Sequence, residues 1–276
     1  MGEDARRQAV SGEARWDLPP HGEAIVAGVR LPAGRRLAAE GAEQTPVLWA
    51  TGELGDAAAA WLALNDRLAG TPLIPVLLSG LNGQPERPWD VGEREPCDPA
   101  AVSELDPAVQ LEEMWRCSVP VPEEDEAETA KLLAPHSRAF PGLAAAAGPQ
   151  ISLDDLAGAM ASLPPPLRLG LVAASRPADV PAVVGWTGAL NYHATPAPLA
   201  CVLRSWEDRF GARLVHLGFD TMDLLVKRPV PSYEAALAVA AEHFAFCPDN
   251  IYQGAGSIRR YAAGLPGTAI WSFWWD

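Results

Sequence analysis

Short apolar runs and helical stripes alternate along the chain without any internal repeat. Residues 1 to about 20 are polar and aperiodic and read as a flexible lead-in. EAIVAGVRL and PVLWAT follow, each short enough for a strand. Asp56 then precedes a helix in which Ala57, Trp61, Leu64 and Leu68 recur at helical spacing, with Gly70 suited to its end. PLIPVLLSG comes next as a continuous apolar run. Strand, helix and strand predict a βαβ unit with two parallel, buried strands over residues 21–82. Pro75 lacks a ladder donor, so it predicts that the second strand lies at an edge.

From residue 83 to 150 the pattern turns acidic and proline-rich, a connecting segment expected to wrap the body rather than build its core. Asp106 and Pro107 open a helix there with Leu111 and Trp115 on one side, and VPEEDEAETAKLL suits another. PHSRAFPGLAAAAGP reads as loop.

Residues 151–276 carry the clearest periodicity. LRLGLVAAS is a strand. Thr195 and Pro196 open a helix with a stripe of Leu199, Leu203, Trp206 and Phe210, ended by Gly211. RLVHLGFD and MDLLVKRP form a hairpin turning near Asp220 and Thr221. Ser232 caps a helix to about Phe246, a short helix covers Arg259 to Gly264, and TAIWSFWWD is a final strand. The whole is read as α+β, a mixed sheet with packed helices preceded by a βαβ-containing N-terminal part.

Charge narrows the partners. The chain has 276 residues and a formal net charge of −14. Between Glu86 and Glu128 there are 14 acidic residues against Arg87, Arg94 and Arg116, whereas Pro181 to Asp276 is nearly balanced. Such a field repels phosphate backbones, so nucleic acid is an unlikely partner and a basic protein a compatible one. No run approaches a membrane span, MGEDARRQAVSGEARW has no apolar h-region so that secretion by a standard signal is not expected, and the four cysteines form no CxxC pair. The expected location is the cytoplasm, and the scarcity of lysine beside arginine and alanine suggests a GC-rich bacterial source.

The richest cluster of reactive groups is EHFAFCPDN, Glu242 to Asn250. At 100° per residue Tyr233, Leu237, Ala240, Phe244 and Cys247 share the buried face, His243 flanks it and Glu242 points nearly opposite. Pro248, Asp249 and Asn250 suit the turn that ends the helix. A nucleophilic Cys247–His243 pair is disfavoured because the thiol sits at a helix C-terminus, where the dipole opposes thiolate. His243 and Cys247 are one turn apart and could ligate metal with Asp249, given a third ligand such as His193, Cys201 or His216. Glu207 lies near a buried stripe and would make an acid–base pair with His243 if both entered one pocket. Trp186, Asn191, Tyr192, Asn250, Gln253 and Trp274 are binding candidates: Asn191 and Tyr192 sit in a glycine-bounded loop, and Trp274 faces away from Trp271, Phe273 and Trp275. No Walker loop, HExxH or GxSxG is present, GAGSIRR is half a dinucleotide fingerprint, and no complete motif indicates a cofactor.

GWTGALN (Gly185–Asn191), SWEDRFGARL (Ser205–Leu214), GFD (Gly218–Asp220), AEHFAFCPDNIYQG (Ala241–Gly254) and the terminal WSFWWD occur in that order. In these blocks the C-terminal part resembles a bacterial family known as domain of unknown function 4253. The resemblance implies signature positions, Glu207, His243, Asp249, Asn250 and Gln253 among them, and no activity. Two functions are therefore expected: a binding or interaction protein, immunity-like toward a basic partner, or a hydrolase-like or metal-assisted enzyme using His243 with Glu207 or Asp249.

Overall fold

The computed structural model describes residues 17–39, 46–121, 126–146, 166–193 and 195–276, with residues 150, 158, 160 and 163. Most of the expected lead-in, residues 1–16, lies outside them. The first apolar run is a hairpin rather than one strand: β1 (Gly22–Val26) turns back into β2 (Val29–Leu37). Its two-residue turn holds Ala27 at φ 48° and Gly28 at φ 79°, the left-handed pair that matches the twist of paired strands. An alanine rarely takes that conformation, so the turn is hidden in the sequence.

β3 (Leu48–Leu54), α1 (Ala57–Asn65) and β4 (Leu73–Leu78) form the predicted strand, helix and strand, and β3 and β4 do run parallel. They are not neighbours. β5 (Leu167–Ala173), nearly ninety residues after β4, inserts between them and pairs antiparallel with both. With β6 (Ala212–Leu217), β7 (Thr221–Val226) and β8 (Ile270–Trp274) the strands make one mixed sheet, ordered β1-β2-β3-β5-β4-β6-β7-β8. β4 is therefore interior, which corrects the edge expected from Pro75. The proline is tolerated because the parallel contact with β6 is confined to Leu77 and Leu78, and the Pro75 carbonyl accepts the Trp61 indole N–H at 2.8 Å.

The connecting segment is better built than expected. Asp98 caps α2 (Pro99–Ser103), a helix not anticipated, and Asp106 caps α3 (Pro107–Ser118) by accepting from the N–H groups of Ala108 and Val109. α4 (Glu126–Leu133) follows. Instead of merely wrapping the body, this stretch puts Trp89, Leu111, Met114, Trp115 and Leu133 into its main core. The physical reason is the amphipathic face of α3, which must be covered.

After α5 (Val180–Val184), the long helices α6 (Pro196–Phe210) and α7 (Tyr233–Phe246) pack on one sheet face, followed by a π-helical turn (Asn250–Ala255) and α8 (Ile258–Ala262). Trp206, Phe210, Phe244, Phe246, Trp271 and Phe273 fill that side. A second core of Trp49, Trp61, Leu64, Leu77, Leu169 and Leu171 lies where α1 covers the other face. No helix among the described residues is long and apolar enough to cross a membrane.

Trp115 meets Phe244 edge-on at 5.3 Å and donates its indole N–H to the Arg138 carbonyl at 2.9 Å. Trp115→Ala is expected to lower unfolding free energy by about 3–5 kcal/mol in denaturant titration, through the lost burial and the cavity left behind. A segment that merely wrapped the surface would lose well under 1 kcal/mol.

Candidate functional site

Glu242 is fully buried, contrary to the helical projection, because Trp206 and Arg209 of α6 and residue 144 close over that side of α7. Its carboxylate takes both arms of the Arg209 guanidinium, Nη1 at 2.8 Å and Nη2 at 2.7 Å. It also accepts the Trp206 indole N–H at 2.7 Å and the Ala144 N–H at 2.5 Å. A buried charge pair is tolerated only when its remaining lone pairs are satisfied, and here they are.

His243 is equally buried, with ring contacts to Trp206, Trp271, Phe273 and Tyr261. Its Nδ1 is 3.1 Å from the Tyr261 hydroxyl, which also takes the Asn250 amide N–H at 3.2 Å. The tyrosine proton therefore points to Nδ1, and this network assigns the histidine proton to Nε2, which has no partner among the described residues and faces the rings. Loss of hydration drives the His243 pKa down to about 3, with the Arg209 charge adding to the effect. Burial also pushes the Tyr261 hydroxyl up.

The expected catalytic partners of His243 do not join it. Glu207 bonds Arg176 at 3.3 Å, and its burial, opposed by that arginine, raises its pKa. Asp249 accepts instead from the Tyr192 hydroxyl at 2.8 Å, the Gln253 amide at 3.0 Å and the Asp276 N–H at 3.1 Å. Burial, and then the Asp249 carboxylate, hold the Tyr192 hydroxyl well above its ordinary pKa. Cys247 donates to the Trp274 carbonyl at 2.9 Å, and burial raises its thiol to about 12. Among the described residues no group of three His, Cys, Asp or Glu side chains is placed to hold a metal ion, which leaves His243 and Cys247 without the third ligand that reading required.

The binding candidates interlock the signature blocks. Asn191 donates to the Asp276 carbonyl at 2.6 Å, and Asn250 donates to the Ser272 carbonyl at 2.8 Å. Trp186 is buried, donates to the Gly218 carbonyl at 2.8 Å and packs edge-on against Trp275. Trp274 is partly exposed on the opposite side of β8.

A second constellation escaped the reading of the sequence. In the sheet, Leu77 of β4 pairs with His216 of β6, His216 with Asp223 of β7, and Asp223 with Ser272 of β8. Ser79, just past the end of β4, reaches the same row. Its Oγ is 2.9 Å from His216 Nε2, and His216 Nδ1 is 2.7 Å from Asp223 Oδ2. Ser272 donates from its hydroxyl to Asp223 Oδ1 at 2.5 Å. A carboxylate only accepts when ionised, so Nδ1 carries the proton and Nε2 is left to accept from Ser79. His216 is buried, Asp223 nearly so, and Ser79 is half-buried. The available signal was a histidine and an aspartate inside two apolar strands whose hairpin makes them face each other.

His243 has a testable consequence. Its folded pKa lies below its unfolded value, so the unfolded chain binds the extra proton first. This contribution to stability is complete above about pH 6.5 and is lost as pH falls toward 3. At pH 5 the loss is expected to be about 2 kcal/mol. The depressed His193, half-buried and bonded to the Phe246 carbonyl, acts in the same direction. Denaturant titrations between pH 7.5 and 5 should show this slope, reduced in His243→Gln.

Neither a curated protein nor a solved structure matches the chain. A family model does, over residues 168–276, which spans β5 to β8 and so includes His216, Asp223, His243, Asp249 and Ser272 but not Ser79. The C-terminal part of the chain thus matches the family described as Domain of unknown function (DUF4253).

Proposed function

We propose that the protein is a hydrolase-like enzyme that transfers an acyl group through Ser79, with His216 as general base and Asp223 as its orienting carboxylate. The observation that carries this reading is the continuous contact of nucleophile to base at 2.9 Å and base to carboxylate at 2.7 Å. In such a reaction the Ser79 Oγ attacks an ester or amide carbonyl carbon and its proton moves to His216 Nε2. The same nitrogen then protonates the leaving group, and water attacks the acyl-serine by the reverse path. Asp223 holds the Nδ1–H, and Ser272 holds Asp223.

The row is closely packed around the serine, and a glycine permits that packing. A Cβ at Gly218 would lie 2.9 Å from Ser79 Oγ and 2.1 Å from Thr221 Oγ1, so any side chain there would crowd the hydroxyl. The class is the hydrolase expected from the sequence, carried by other residues than His243, Glu207 and Asp249. A reducing, cytoplasmic setting fits the four free cysteines.

Capture of a basic protein partner is supported less well. Many carboxylates of the acidic segment already have work in the fold: Asp98 and Asp106 cap helices, Asp90 pairs with Arg35 and Arg168, Glu93 with Arg87 and Glu126 with Arg138.

The test is a fluorophosphonate probe on the folded chain, read by mass spectrometry of the peptides. In this reaction the Ser79 Oγ–P bond forms, fluoride leaves, and the serine proton passes to His216. Labelling is expected at Ser79, slowed roughly a hundredfold or more in His216→Gln, the usual scale of a lost general base. Absence of a Ser79 adduct on the folded wild type, or equal labelling in His216→Gln, would overturn the proposal.

A further inference from the structure

A cleft apart from the serine relay opens between β2, β3, β5 and the loop Pro85–Asp90, and it shares no lining residue with Ser79, His216 or Asp223. It measures about 450 Å³, within the size range of small-molecule sites. Sequence explains why the space is empty. Ala33, Gly34, Ala50 and Gly52 line it where strands usually carry larger side chains, and a Cβ at Gly52 would meet nothing within 4 Å.

The cleft has a charged base and an oppositely charged rim. Arg168, only 8% exposed, donates Nε to the Thr51 carbonyl at 2.7 Å and Nη2 to Asp90 Oδ1 at 3.1 Å. Neither bond uses Nη1. Arg35 Nη2 stands 2.9 Å from the same Asp90 oxygen, so two guanidinium groups share one carboxylate and a positive charge is left over. Glu53 is the pairing partner of Arg168 across β3 and β5, yet Arg168 turns its Nε and Nη2 to Thr51 and Asp90. Glu53 and Glu86 are exposed along the same cleft.

A lone anion would meet Glu53 and Glu86 as repulsive neighbours, and a lone cation would meet the two arginines. A molecule carrying both charges satisfies base and rim together. We infer that this cleft binds a dipeptide-sized zwitterion, its carboxylate on Arg168 and Arg35 and its ammonium group toward Glu53 and Glu86. Arginine suits the carboxylate because its planar fork presents paired donors, and a nine-tenths buried guanidinium makes charge-assisted bonds stronger than a surface one would.

Titration calorimetry of the full chain with L-alanyl-L-alanine tests this, beside its N-acetylated form, which keeps only the carboxylate, and its amide, which keeps only the amine. The free dipeptide is expected to bind saturably, with each blocked form weaker by roughly tenfold, the scale of one charge-assisted contact. Gly52→Leu should lower the affinity by roughly tenfold or more while leaving the melting temperature unchanged, since Gly52 is not held in left-handed backbone and its Cβ direction is open. No saturable binding of the dipeptide, equal affinity for the acetylated form, or undiminished binding in Gly52→Leu would each overturn the inference. None of these results depends on whether Ser79 reacts.

Discussion

A buried polar group must find a partner, and one line of such groups crosses this fold from face to face. It starts at Ser79 at the end of β4 and runs through His216, Asp223 and the Ser272 hydroxyl. The Ser272 carbonyl then meets Asn250, and Asn250 meets the Tyr261 hydroxyl that holds His243. Each member bonds the next, so removing one leaves a neighbour desolvated and unpaired, which costs more than the bond itself contributes. The register of four strands and the seating of two helices follow from keeping this line intact.

The two ends of the line have different surroundings and therefore different chemistry. At His243 the walls are aromatic, hydration is lost, and the imidazole is held neutral with its Nε2 proton among rings. That end is architecture. At Ser79 the hydroxyl is half-buried, no side chain at Gly218 crowds it, and a carboxylate sets the imidazole tautomer. This is the end at which a reacting molecule could meet a nucleophile and a base together. The Glu242–Arg209 pair lies outside the line and ties α6 to α7 and to residue 144. Its isolation from solvent suits it to fixing the helices.

Local features were legible in the sequence. Asp106, Pro107, Ser232 and Gly211 mark helix ends because capping depends on a few adjacent residues. The hairpin of β6 and β7 and the terminal strand were readable for the same reason. What depends on distant partners was not. Nothing near Pro75 announces that β5 will pair with β4, and nothing near Glu242 announces that Arg209 and residue 144 will close over it. Ser79 and His216 are 137 positions apart, and Ser272 lies 49 beyond Asp223, so only strand order brings them into one row. The dense stretch from Glu242 to Asn250 attracted attention because its reactive groups are close in sequence. Closeness in sequence at a helix end put most of them in the core.

The relay from Ser79 to Asp223 turns on the orientation of His216, and nitrogen-resolved NMR of the histidine rings reads it directly. The relay requires a proton on Nδ1 of His216, shifted far downfield by its bond to Asp223, with Nε2 unprotonated and facing Ser79, while His243 carries its proton on Nε2. A proton on Nε2 of His216 alone, donated to the serine, would make the row a structural hydrogen-bond ladder and would contradict a base poised to receive the Ser79 proton.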